Sequence, residues 1–123
     1  KNYFSSSNFS QFFSFPKPET DSFNVAWVNI IKLENTDIKI NDLREELMKV
    51  GIDSRNLFFP SNKQPFLSDK SNHKELFPIS EDLYEKGMYV PSGSNLAKKD
   101  ILYISKTIEK TFSELKVNHD KNS

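Results

Sequence analysis

The sequence predicts an α+β domain built on a small, mostly antiparallel, three-stranded sheet. Three observations carry that expectation. Asn24 to Leu33 reads NVAWVNIIKL, with apolar residues at alternate positions on both faces of an extended chain. Near the C-terminus, Ile101, Ile104, Ile108, Phe112 and Leu115 recur at the spacing of one helix face. Between these segments the pattern alternates, giving the order β-α-β-α-β-α with only three strands, which a sheet covered by helices satisfies most economically.

Residues 1–22 are rich in Phe and Ser and include Pro16 and Pro18, with no clean period. Phe12, Phe13 and Phe15 need burial, yet the segment offers no obvious partner for them. It reads as a wrapping arm or the remnant of a preceding domain. The domain proper is expected over 23–116 and a polar, frayed tail over 117–123. In the first strand Val25, Trp27, Ile31 and Leu33 share one face, and Ala26, Val28 and Ile30 the other. Both faces should therefore be covered, with Trp27, and later Tyr89, in the core. A helix follows over Asp42 to Val50. Asp42 and Glu45 make a capping-box-like start, Leu43, Leu47 and Val50 make its stripe, and Gly51 can close it in a left-handed conformation. Asn56 to Phe59 reads as the second strand and Ser68 to Lys74 as a polar connection. A helix over Pro78 to Lys86 stops at Gly87, and Met88 to Val90 forms the third strand, ended by Pro91.

Composition removes several functions. The 123 residues suffice for one small domain, with 11 Phe supplying much of a hydrophobic fraction of 36%. Seventeen Lys and Arg balance 17 Asp and Glu. Zero net charge and no basic stripe give no electrostatic reason to expect a nucleic acid or membrane partner. There is no cysteine, hence no disulfide, thiol nucleophile or Cys-based zinc site. A cytoplasmic location is expected, since a cysteine-free chain without a long apolar run suits it. No glycine-rich phosphate loop or HExxH occurs. His73 and His119 lie in polar segments and read as solvated, so no metal site is expected. Glu81, Asp82 and Glu85 read as acids complementing a helix dipole, and no residue is assigned a catalytic role.

One stretch fits no ordinary turn. Ser54 to Leu67, SRNLFFPSNKQPFL, brings an aromatic run to Pro60, passes through Ser61, Asn62, Lys63 and Gln64, and breaks again at Pro65. With its neighbours it carries a resemblance. A strand with an early aromatic (NVAWVNIIKL), a helix ending in Gly-Ile before a Ser-Arg step (LREELMKVGIDSR), the loop FFPSNKQP, and then FPISEDLYEKGMYVPSG and KKDILYISKTIEKTF follow in order over about residues 23–114. The succession resembles the C-terminal part of the DegT/DnrJ/EryC1/StrS family of pyridoxal-phosphate-dependent aminotransferases, which mostly act on nucleotide-linked keto-sugars.

The resemblance implies the C-terminal small domain of a fold-type I aminotransferase, working in cell-surface polysaccharide or amino-sugar biosynthesis. It implies a nucleotide-sugar substrate, an amino donor and a homodimer when full length, with pyridoxal phosphate (PLP) in the intact enzyme and none in this chain alone. The family's Schiff-base lysine, its pyridine-facing carboxylate and its phosphate-binding residues belong to a large N-terminal domain, so the isolated chain is expected to be inactive. By the same analogy Phe58 and Phe59 anchor a strand whose end projects Ser61, Asn62, Lys63 and Gln64 toward the substrate, with Arg55 close by to meet a phosphate or carboxylate. Asn62 stands where the family commonly has histidine; an amide hydrogen-bonds but carries no proton charge. The competing structural reading makes the loop a rigid Pro-bounded turn and pairs Arg55 with an acid on a neighbouring helix. At the level of the whole chain, the alternative is a free-standing, non-enzymatic α+β interaction or regulatory module.

Overall fold

The computed structural model describes residues 9–17, 20–23, 27–68 and 77–122. Four strands, β1 (Phe13–Ser14), β2 (Asn29–Leu33), β3 (Arg55–Asn56) and β4 (Gly87–Val90), form one antiparallel sheet in the order β1-β2-β4-β3. The helices are α1 (Ile40–Lys49), the single turn α2 (Pro65–Ser68), α3 (Pro78–Lys86) and α4 (Lys98–Asn122). The α+β class holds, and the count of three strands is corrected to four.

The added strand comes from the N-terminal arm. Phe13 pairs with Leu33 and Ser14 with Lys32, which puts Phe13 on the buried face beside Ile31, Leu33 and Met88. The partner that the arm lacked in sequence is Phe112 of α4. Its ring centroid lies 5.1 Å from Phe13, 5.2 Å from Phe12 and 6.4 Å from Phe9, within the range of favourable aromatic pairing. Lys116, one turn further along α4, sets its ammonium 3.9 Å from the centre of the Phe12 ring. Leu43 and Leu47 of α1, with Ile108 and Phe112 of α4, complete the fully buried core on this face.

Helix α1 begins at Ile40, two residues before the expected capping box, and its N-cap Lys39 makes no side-chain cap bond. Burial decides the start: Ile40, Leu43 and Leu47 form the buried stripe, whereas Val50 is exposed. The expected stop holds. Gly51 takes φ 82°, its N–H donates to Met48 O (3.1 Å) and the Ile52 N–H to Leu47 O (2.9 Å). This pair of hydrogen bonds, with Ile52 and Leu47 both in the buried core, is a Schellman ending.

Strand β2 is half as long as NVAWVNIIKL suggested. Residues 24–26 lie outside the described set, residues 27–28 form a bend, and Trp27 is 76% exposed rather than core. Tyr89 is half-buried on the outer face of β4. The expected strand Asn56–Phe59 is replaced by Arg55–Asn56, because beyond Asn56 the chain leaves the sheet toward α3. Helix α4 runs through Asn122, so the polar tail is helical to that point, in keeping with the low cost of extending a helix already nucleated. No helix among the described residues is long and apolar enough to cross a membrane.

Helix α3 passes straight into β4 with no connecting residue. A Cβ on Gly87 would lie 2.5 Å from the Leu83 carbonyl oxygen and press on the Leu57 side chain, so only glycine fits the junction.

Phe112→Ala removes the ring that gathers the arm onto α4. It should cost about 3–5 kcal/mol, as for other buried aromatic truncations. Urea denaturation of the two chains measures this, and an unchanged midpoint would show that the arm is not part of the cooperative core.

Candidate functional site

The outer face of the sheet presents two rows. One is Ser14, Lys32 and Gly87; the other is Ile30, Tyr89 and Arg55. Helix α3 lies over the first row, held by charge. Lys32 Nζ is 2.5 Å from Asp82 Oδ2 and 3.0 Å from Glu34 Oε1, Asp82 also receives Lys86 Nζ (2.6 Å), and Ser14 Oγ donates to Glu34 (2.9 Å). The hydrogen bonds from Lys32 hold the Asp82 and Glu34 carboxyls below the usual carboxylate range, and those two acids, Asp82 first, raise the Lys32 ammonium above its ordinary value.

The loop hangs from the opposite side of the same helix. After β3, the Phe58 ring meets Tyr89 at 5.8 Å and the Phe59 ring meets Tyr84 edge-on at 5.2 Å. Pro60 is buried. Ser61–Lys63 then make one 3-10 turn, closed by the Lys63 N–H to Pro60 O (3.0 Å) and the Gln64 N–H to Ser61 O (3.1 Å), and Pro65 opens α2. The second anchor is Glu81. Its Oε1 accepts from Asn62 Nδ2 (3.2 Å) and its Oε2 faces Lys63 Nζ (3.0 Å), and the hydrogen bond from Lys63, then that from Asn62, lowers its pKa. Glu81 and Tyr84 are three residues apart on α3, hence on one face, and together they hold the loop at both ends.

Of the five residues expected at the site, the structure brings Asn62 and Lys63 together on Glu81. Gln64 is half-buried and Ser61 exposed in the same turn. Arg55 stands apart on the edge strand β3, 79% exposed, with a 3.6 Å contact to Asp53, a loop residue and not the helix acid that the structural reading foresaw. Phe58 is 78% exposed and packs on Tyr89 instead of anchoring a strand. The anchor of the loop that sequence reasoning passed over is Glu81. It was read as a dipole acid, and its partners lie 19 and 18 positions away with no local pattern linking them.

A separate cleft of about 390 Å³ opens between the β2–α1 connection and α3, lined among others by Leu33, Thr36, Ile38, Asn41, Asn56 and Tyr84. Arg44 reaches from α1 to its edge, donating to Asn41 Oδ1 (3.2 Å), Asn56 Oδ1 (2.7 Å) and Ser54 O (3.0 Å). None of the five expected site residues lines this cleft.

Comparison with known proteins places these features in context. The sequence profile of the DegT/DnrJ/EryC1/StrS aminotransferase family matches residues 7–109. The chain is 31% identical over 98 residues to GDP-perosamine synthase of Escherichia coli O157:H7, covering 80% of this chain and 26% of that protein. Among solved structures, the fold resembles Helicobacter pylori PseC, an aminotransferase involved in the biosynthesis of pseudoaminic acid, with a TM-score of 0.75, 20% identity, and coverage of 91% of this chain and 29% of that one. It also resembles a Streptococcus pneumoniae protein described as a sugar aminotransferase, in its PMP form, with a TM-score of 0.77, 16% identity, and coverage of 96% and 30%. The chain thus spans about a quarter of the length of the curated relatives it matches.

The charge cluster under α3 makes stability depend on acid. Folded-state carboxyls held low contribute stability above their unfolded pKa of about 4 and lose it as pH falls through the lowered folded values. Lys32, held high, contributes below its unfolded value of about 10.4 and loses that contribution as pH rises through its folded value. The urea midpoint of the wild-type chain should therefore fall steeply on acidification from about pH 5 to 3, and less steeply in Lys32→Met. Parallel curves for the two proteins would detach the cluster from stability.

Proposed function

The chain belongs to the DegT/DnrJ/EryC1/StrS aminotransferase family, and from that premise we propose that it forms the C-terminal, substrate-facing portion of a PLP-dependent aminotransferase acting on a nucleotide-linked keto-sugar. The observation that carries this reading is the extent of the match. It runs over residues 7–109 without leaving out the loop, which stands as a rigid, Pro-bounded turn on α3. Rigidity matters because a pre-formed loop loses less entropy on meeting a ligand. In this reading Ser61, Asn62, Lys63 and Gln64 meet the substrate, Arg55 meets its charged part, and the intact enzyme works as a cytoplasmic homodimer taking its amino group from a separate donor.

Neither Lys32 nor Lys63 fits the role of the lysine that holds PLP. A Schiff-base lysine needs an accessible amine that deprotonates readily. Lys32 is held between two carboxylates that raise its pKa, and Lys63 is paired with Glu81. No cofactor step is assigned to these residues. Their proposed part is to bind and orient substrate, while the chemistry that PLP supplies, a sink for electrons, belongs to the rest of the intact enzyme.

Two measurements check the proposal. The 123-residue chain mixed with PLP and treated with borohydride should yield no stoichiometric adduct on one specific lysine; finding one would place a cofactor site here. In the full-length enzyme, changing Asn62 and Gln64 to Ala should lower kcat/KM for the nucleotide sugar about tenfold or more, equal to roughly one or two hydrogen bonds, with the melting temperature little changed. Normal kinetics with reduced stability would make the loop a scaffold.

A further inference from the structure

We propose that Glu81 is the specificity-determining residue of the loop: by clamping Asn62 and Lys63 it turns the loop into a hydroxyl reader and leaves the anionic part of the substrate to Arg55. The inference rests on the substrate-facing reading of the loop and deepens it.

An ionised carboxylate only accepts hydrogen bonds, so Asn62 must present its NH₂ to Glu81 Oε1, as the 3.2 Å contact has it. That choice fixes the amide. The group left to Asn62 is its carbonyl oxygen, on a half-buried side chain. A carbonyl oxygen takes a hydrogen bond from a sugar hydroxyl and offers nothing to an ionised phosphate, which has no proton to give.

Lys63 is the second half of the clamp. Its ammonium sits 3.0 Å from the other oxygen, so the one obvious cation of the loop is neutralised by the same residue that orients the amide. A diphosphate drawn to Lys63 would stand beside the Glu81 charge, and like charges at such range repel. At Arg55 the same obstacle is weaker. Its contact with Asp53 is long at 3.6 Å, and both side chains are largely in water, where pairing is weak. It lies in register with Tyr89, whose ring meets the exposed Phe58, and its planar fork suits two phosphate oxygens. The sequence offered Lys63 and Arg55 equally as partners for a diphosphate; the clamp separates them.

Backbone and Asn62 side-chain NMR of the ¹⁵N-labelled 123-residue chain tests this, titrated with inorganic pyrophosphate and with GDP-mannose. In the wild type, pyrophosphate should move signals around Arg55 and leave Ser61 to Gln64 in place, whereas GDP-mannose should also move Asn62. Glu81→Gln frees the Lys63 charge, so pyrophosphate should now move Ser61 to Gln64 and bind at least threefold tighter. The gain should vanish when Lys63→Met is added. Should Glu81→Gln fail to fold, Lys63→Met alone decides, since the pyrophosphate response of the wild type must survive it. A wild-type loop that answers pyrophosphate as strongly as Glu81→Gln, or a response lost in Lys63→Met, overturns the role of Glu81 and leaves the substrate-facing loop standing. If GDP-mannose moves Asn62 in none of the proteins, the substrate-facing reading itself falls, and the role of Glu81 with it.

Discussion

The placement of the loop in the candidate site rests on one ammonium group. Lys32 stands on the outer face of a central strand, between Asp82 of α3 and Glu34 at the end of its own strand. It is partly shielded, so its pairs are screened less than those at the rim of the molecule; Lys86 meets the other Asp82 oxygen, and Ser14 donates to the Glu34 oxygen that Lys32 also contacts. With Asp82 fixed to the sheet, the neighbouring Glu81 and Tyr84 are turned outward, and the loop hangs from them by a carboxylate and an aromatic edge. Adjacent residues on one short helix thus divide two tasks. One attaches the helix, and the other arranges the surface that a ligand would meet.

The other face is held by apolar packing. Ile, Leu and Met side chains make up most of the interior, and Phe112 is where the Phe rings of the arm converge on it. The arm at residues 9–15 is thereby part of the domain: it adds an edge strand, buries Phe13 and covers one side of α4. This burial sets the strand count, because β1 exists only where Phe13 can turn toward the core. The likeness to aminotransferase structures of 12–20% identity concerns this arrangement of sheet and helices.

What could be read in the sequence was local. Pro78, Gly87 and Gly51 mark helix ends through backbone geometry that a few residues determine, and α3 and the end of α1 stand where those residues put them. The α4 stripe was equally plain, since Ile108 and Phe112 are buried at the expected spacing. Non-local terms decided the rest. Asp42 has the chemistry of a cap, but burying Ile40 won. Trp27 has the chemistry of a core residue, but the strand starts after it. Loop residues 61–64 were legible as a constrained polar turn between prolines, and the family's order of segments was legible around it. The acid that fixes their hydrogen-bonding faces was not, because Glu81 acquires that role only when α3 folds back across the loop.

The missing linker between α3 and β4 bears on how this surface can change over evolutionary time. A helix that becomes a strand within one peptide bond has no linker between them, and a side chain at position 87 would clash with Leu57 and the Leu83 carbonyl. The polar turn, the helix it hangs from and the middle strand of the sheet are therefore a single rigid lever. A relative that exchanged the turn alone would leave the new side chains facing a helix face shaped for the old ones. Turn and helix are expected to be inherited, or transplanted by an engineer, as one cassette.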